Sequence, residues 1–170
     1  MSDLRIAGTV GESITDGPGF RFTIFTQGCP HHCEGCHNPQ THDFGGGEVV
    51  DTDALWDRIS KDILLSGVTF SGGEPFEQAG ALLDLAKKIK NAGLELAAYS
   101  GYTFEELVQA GGDKLELLKL CDVLVDGRFV LSQRSLMLRF RGSKNQRIVD
   151  VRASLSAGSA VEMHDGRWQD

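Results

Sequence analysis

Short β-branched or aromatic runs alternate with helical periods along most of this chain, and that alternation limits the fold more than any other feature. Residues 20–26 (FRFTIFT), 67–71 (GVTFS), 94–100 (LELAAYS) and 121–126 (CDVLVD) read as short buried strands, with 146–151 (QRIVDV) a candidate fifth. Between them, residues 52–64 set Leu55, Trp56, Ile59 and Ile63 at helical spacing behind Asp51 or Thr52 as cap. Residues 76–93 set Leu82, Leu85, Ala86 and Ile89 on one helical side, with Gly93 as the stop. Thr103 and Glu106 have capping-box spacing, and 113–120 (DKLELLKL) reads as a further short helix. Such an order specifies a parallel sheet with right-handed crossovers. A closed eight-stranded barrel takes about 250 residues. The 170 present here therefore predict an α/β chain folded as an incomplete parallel β/α barrel, one domain over 1–170.

The polar punctuation follows the strands. GCPHHCEGCHNP (28–39) comes after the first, SGGEP (71–75) after the second, SGY (100–102) after the third, and Asp126 closes the fourth. All four positions are C-terminal strand ends, where neighbouring loops of parallel α/β folds converge on a site.

Cys29, Cys33 and Cys36 are spaced C-x3-C-x2-C, and Cys121 is the chain's one other cysteine. No apolar run approaches a membrane span, and the first residues lack the order of a signal peptide, so a cytoplasmic setting is expected. In that reducing compartment clustered thiols point to metal or redox chemistry rather than disulfides. Soft sulfur ligands suit zinc or an iron-sulfur cluster, and spacing alone admits both. Zinc would close with a fourth ligand from His31, His32, His37 or His42, giving a zinc-stabilised α/β interaction module. A four-iron cluster on three cysteines instead leaves one iron open to a substrate or cofactor. Cys121 begins an apolar strand and reads as a small buried hydrophobe.

A formal charge of -7 argues against a nucleic-acid surface. The charge is uneven: residues 1–126 carry 9 Lys+Arg against 20 Asp+Glu, and residues 127–170 carry 8 against 4. The basic final third reads either as solvated surface or as a docking or anion-binding face.

The cysteine spacing together with SGGEP resembles the radical S-adenosylmethionine (SAM) enzymes. DGPGFR (16–21), GCHNP (35–39) and VTFSGGEP (68–75) narrow the resemblance to activating enzymes of glycyl-radical enzymes. SGYTFEEL (100–107), DVLVDGRF (122–129) and RGSKNQR (141–147) are most similar to those acting on the anaerobic, class III ribonucleotide reductase. Gly35 before the last cysteine and the lack of a second cysteine-rich insert point the same way, away from activases of other glycyl-radical enzymes. Residues 153–170 resemble nothing assigned.

The resemblance implies a radical SAM-type partial barrel with one [4Fe-4S] cluster on Cys29, Cys33 and Cys36, and SAM on the open iron. It implies reductive SAM cleavage and hydrogen abstraction from a glycine of the reductase large subunit. An external donor such as a reduced flavodoxin would supply the electron, with no nucleic acid or membrane involved. Around SAM it places Gly35, Cys36, His37 and Asn38, with Gly35 and His37 giving backbone contacts on the adenosine side. Gly72 and Gly73 would allow close approach and Glu74 would receive the SAM ammonium. Asp126 and Arg128 would stand near the methionine moiety. Asp16, Tyr102 and the polar residues Arg141, Ser143, Asn145 and Arg147 are weaker candidates for SAM or reductase contact.

Overall fold

In the computed structural model, which describes residues 2–169, the expected strands form the middle of one seven-stranded sheet. Met1 and Asp170, the ends of the expected domain, lie outside the described residues. In chain order the strands are β1 (Asp3–Ser13), β2 (Arg21–Thr26), β3 (Glu48–Asp51), β4 (Gly67–Gly72), β5 (Glu95–Tyr99), β6 (Val123–Asp126) and β7 (Arg147–Asp150). They lie side by side as β3-β1-β2-β4-β5-β6-β7. β2, β4, β5 and β6 run parallel to one another. β1 and β7 pair antiparallel on either side of that group, and β3 pairs antiparallel with β1. The sheet is open, with β3 and β7 at its edges.

Helices α1 (Thr52–Lys61), α2 (Ala79–Asn91), α3 (Phe104–Ala110) and α4 (Gly112–Leu120) fall between the parallel strands, and α5 (Val151–Ala157) follows β7. The Asp51 carboxylate accepts the Asp53 N–H and starts α1, and the Thr103–Glu106 capping box starts α3. Two expectations shift. Ile63 lies beyond the end of α1 and is 94% exposed, because Asp62 already has extended backbone. The helix expected from Phe76 becomes α at Ala79, since residues Pro75–Gln78 form a 3-10 turn whose Phe76 N–H is taken by Glu74.

The period-2 alternation of the strands explains the two faces of the sheet. Phe22, Ile24, Val68, Phe70, Leu96, Ala98 and Leu124 point to one side and form the main core with Leu55 and Ile59 of α1, Leu82, Leu85, Ala86 and Ile89 of α2, and Leu117 and Leu118 of α4. Arg21, Thr23, Thr69, Ala97 and Val123 alternate with them on the inner face. Deep on that face Ala97, Val123, Val125 and Ile148 pack with Trp168, which is fully buried. The guanidinium of buried Arg21 lies 5.4 Å from the Trp168 ring. It donates to Thr69 Oγ1 (2.8 Å) and pairs with Glu95 (2.9 Å). Of the stretch after residue 152, the rest of α5 and Trp168 belong to the folded body.

Candidate functional site

Above that floor, at the C-terminal ends of the parallel strands, the loops enclose a cavity of about 400 Å³. The cysteine loop enters it directly from β2. The Gly28 N–H donates to the carbonyl of Thr41 (2.7 Å) and that of Cys29 to His42 (3.2 Å), which ties the start of the loop to its end. Within it the Cys36 N–H donates to the Cys33 carbonyl (3.2 Å) and the Asn38 N–H to Cys36 Sγ (3.4 Å). Cys29, Cys33 and Cys36 are free thiols, and with His37 and Asn38 they all line the cavity. Burial pushes the Cys29 thiol up to about 11, so a thiolate there needs a cation beside it.

The SGGEP loop is built against the cysteine loop. Gly73 N–H donates to the carbonyl of Thr26 and Glu74 N–H to that of Gly28, both at 2.8 Å. A Cβ on Gly73 would collide with the Gly28 carbonyl, and Gly72 has φ 101° with the Thr26 carbonyl oxygen 2.5 Å from where its Cβ would be. Both glycines line the cavity. Their need for glycine comes first from protein backbone, not from a ligand.

Glu74 does not line the cavity. Its carboxylate is fully buried and accepts from the Phe76 N–H (3.1 Å), Ser100 Oγ (2.9 Å) and the Gly101 N–H (2.8 Å), and lies 2.7 Å from His31 Nε2. It joins the loops after β2, β4 and β5, which leaves it engaged rather than open to an ammonium. Asp126 is likewise 1% exposed, accepting from the Phe104 N–H (2.7 Å) and paired with Arg147 (2.5 Å), whose other partner is Glu105. Arg128 faces outward onto Glu106 (3.0 Å). Gly35, also outside the cavity lining, lets Leu131 approach to 2.8 Å of its absent Cβ. Tyr102 stands edge-on to His31 (centroids 4.6 Å) and donates to Glu77.

Of the RGSKNQR segment, Arg141, Gly142 and Gln146 reach the cavity. Ser143 and Asn145 instead brace the turn, through Ser143 Oγ to Asn145 Oδ1 (2.6 Å) and Asn145 Nδ2 to the Arg128 carbonyl (2.8 Å). Asp16 lines the cavity too, accepting from Ser13 Oγ at 2.5 Å. Sequence reading took Ser71 only as the first residue of SGGEP and missed Tyr99 and Val125; all three are inner-face residues at strand ends. Alternation was the available signal, since each follows a core residue, Phe70, Ala98 or Leu124. It also missed Phe129, Leu138 and Phe140, which come from a connection without regular pattern.

Among the described residues no three His, Cys, Asp or Glu side chains gather as one metal ion would require. His31, His32, His37 and His42 are not gathered around one point with the thiols. A cluster seats each cysteine on a different iron, so the thiols need not converge on one ion, and Cys29, Cys33 and Cys36 all line the same cavity.

Comparison with known proteins agrees on the cofactor. The family described as a 4Fe-4S single cluster domain matches residues 15–149. The anaerobic ribonucleoside-triphosphate reductase-activating protein of Vibrio cholerae is 36% identical over 78% of this chain and 89% of its own length. That of Escherichia coli K12 is 34% identical over 82% and 94%. Among solved structures, QueE from Escherichia coli overlays on 59% of this chain and 53% of its own at TM-score 0.47 and 19% identity. At this identity over nearly the full length of those relatives, the chain belongs to the family of anaerobic ribonucleoside-triphosphate reductase-activating proteins and carries its 4Fe-4S single cluster domain.

Proposed function

We propose that this protein is a radical SAM activase: it holds one [4Fe-4S] cluster on Cys29, Cys33 and Cys36, binds SAM in the adjoining cavity, and generates a glycyl radical on the anaerobic ribonucleotide reductase. The observation that carries the reading is the placement of all three thiols on the wall of one cavity at the C-terminal edge of a parallel sheet. The chemistry supplied by the bound cluster is transfer of one electron to SAM, releasing methionine and a 5′-deoxyadenosyl radical that takes a hydrogen atom from a glycine α-carbon.

The chain's own part is to bind, orient and exclude water. His37 and Asn38 follow the last thiol into the cavity, and Gly72 and Gly73 offer backbone along it. The His37 ring is fixed 5.2 Å from Phe129. Tyr99, whose burial raises its hydroxyl well above the usual range, stays neutral on the inner wall. Leu138 and Phe140 supply apolar wall on the side of the β6–β7 connection. Glu74 and Asp126 act as braces between loops, and with Arg128 outside the lining the carboxylate of SAM has Arg141 as the cation on the cavity wall. The electron comes from an external donor such as a reduced flavodoxin.

Anaerobic reconstitution with iron and sulfide tests this directly. The expected product is brown and changes its absorption and paramagnetic spectra on adding SAM. A colourless protein that takes up zinc stoichiometrically and ignores SAM would overturn the reading.

A further inference from the structure

The connection between β6 and β7 carries basic residues and no acidic ones. Residues 127–146 contain five Lys or Arg and no Asp or Glu, in a protein whose first 126 residues are strongly acidic. Its middle is a closed loop. An isolated bridge pairs Arg134 with Ser143, the Ser135 N–H donates to the Gly142 carbonyl (3.3 Å), and the Lys144 N–H donates to the Gln133 carbonyl (3.0 Å). Residues 135–142 thus form a compact surface loop with adjacent ends.

That loop has two sides. Leu138, Phe140 and Arg141 line the cavity. Leu136 and Met137 point away and are 85% and 88% exposed, in a loop whose Arg134 and Arg139 are also exposed. Its base is seated on the cysteine loop through Leu131 against Gly35 and Phe129 against His37. What sets Leu136 and Met137 apart from other exposed apolar residues is their place beside the cavity, between the exposed Arg134 and Arg139.

We propose that residues 134–139 are the docking surface for the protein substrate. Leu136 and Met137 enter an apolar recess in an Asp- and Glu-rich face of the reductase, and the surrounding cations hold that face in register so that its glycine segment reaches the cavity. The proposal rests on the reading given under Proposed function. Charge complementarity selects the partner: an acidic surface is repelled by residues 1–126 and attracted here. Overall negative charge and an apolar tip disfavour nucleic acid. A second copy of this chain would also offer acidic surface, but seated here it would cover the mouth that the glycine segment must enter.

The test measures the Kd of cluster-loaded protein for the reductase large subunit, with SAM cleavage by a chemical reductant in the absence of reductase as a separate readout. Leu136→Asp combined with Met137→Asp should weaken the complex by about tenfold or more, as expected for loss of central apolar anchors. Arg134→Glu should weaken it by about threefold, chiefly through slower association, and wild-type binding should fall as salt rises. SAM cleavage without reductase should stay within about twofold of wild type for all variants, because none of the three residues lines the cavity. An unchanged Kd for both the double variant and Arg134→Glu overturns the proposal. So does a wild-type homodimer that the double variant dissolves while reductase binding persists, or a nucleic-acid affinity lost with Arg134→Glu while the reductase Kd holds. A wild-type complex that forms as described yet yields no glycyl radical counts against the activase reading and leaves docking supported.

Discussion

At Gly73 the protein's own backbone leaves no room for a side chain. Close approach to a ligand was the expected need, but its missing Cβ already faces the Gly28 carbonyl and has the Thr41 carbonyl at 2.9 Å. Gly73→Val should therefore disturb the cysteine loop, destabilising the protein by about 1–3 kcal/mol through overpacking. Iron content after reconstitution should fall together with SAM affinity; full iron loading with only SAM binding impaired would restore the simpler view. Cys121 is buried as expected, but it caps the end of α4 and the strand begins only at Val123. It is 4% exposed in the main core, its thiol contacts the Leu117 carbonyl (3.4 Å), and burial holds its thiol far above the ordinary range. Cys121→Ala should keep the cluster, whereas Ala at Cys29, Cys33 or Cys36 should lose it. In the folded protein Cys121 should resist iodoacetamide until denaturant is added, and ready alkylation would show that the core around it opens. Glu74 and Asp126 were less legible, because a carboxylate beside a glycine-rich turn reads the same whether it meets a ligand or another loop.

At the scale of elements, segments with a strong period were readable and those whose pairing sets their shape were not. α2 buries Leu82, Leu85, Ala86 and Ile89 as its spacing demands. β1 escaped notice because only Leu4, Ile6 and Ser13 of its eleven residues are buried, and register shifts after Ile6 and after Val10 break the alternation. β3 is four residues long and paired only with β1. β7 was expected as a strand, but its direction follows from the connection: with no α-helix between β6 and β7, the chain returns antiparallel. That return places Asp126 opposite Arg147, and their ion pair ties β6, β7 and α3 together. Arg147→Met should leave the Asp126 carboxylate buried without its cation. The expected cost is about 3 kcal/mol, the lower end for a broken buried pair because the Arg147 side chain is 31% exposed. Urea unfolding of the unloaded protein would measure it. Unchanged stability with a large loss of SAM affinity would return Asp126 to the ligand site.

On the scale of the whole molecule, the inner face of the open sheet is divided into a floor and a chamber. Trp168 makes the floor, fully buried over the Ala97–Val123–Ile148 cluster, 5.3 Å from the Phe140 ring and beside Arg21. Nothing in residues 153–170 announced this, since one tryptophan in a polar stretch has no period and its burial depends on contacts distant in sequence. Trp168→Ala should destabilise the protein by about 3–5 kcal/mol and lower its Tm in the absence of iron. A Tm close to wild type would mean the floor is not needed to hold the chamber. The proposed activity assigns the chemistry to the chamber, and the decisive observation is the fate of one hydrogen atom. Reductase whose glycines carry deuterium at the α-carbon should be mixed with the cluster-loaded protein, SAM and a reductant, and the 5′-deoxyadenosine analysed by mass spectrometry. Deuterium should enter 5′-deoxyadenosine in step with the glycyl radical seen by electron paramagnetic resonance. Formation of the radical with unlabelled 5′-deoxyadenosine, or turnover of SAM with no radical on the reductase, would contradict direct abstraction at this site.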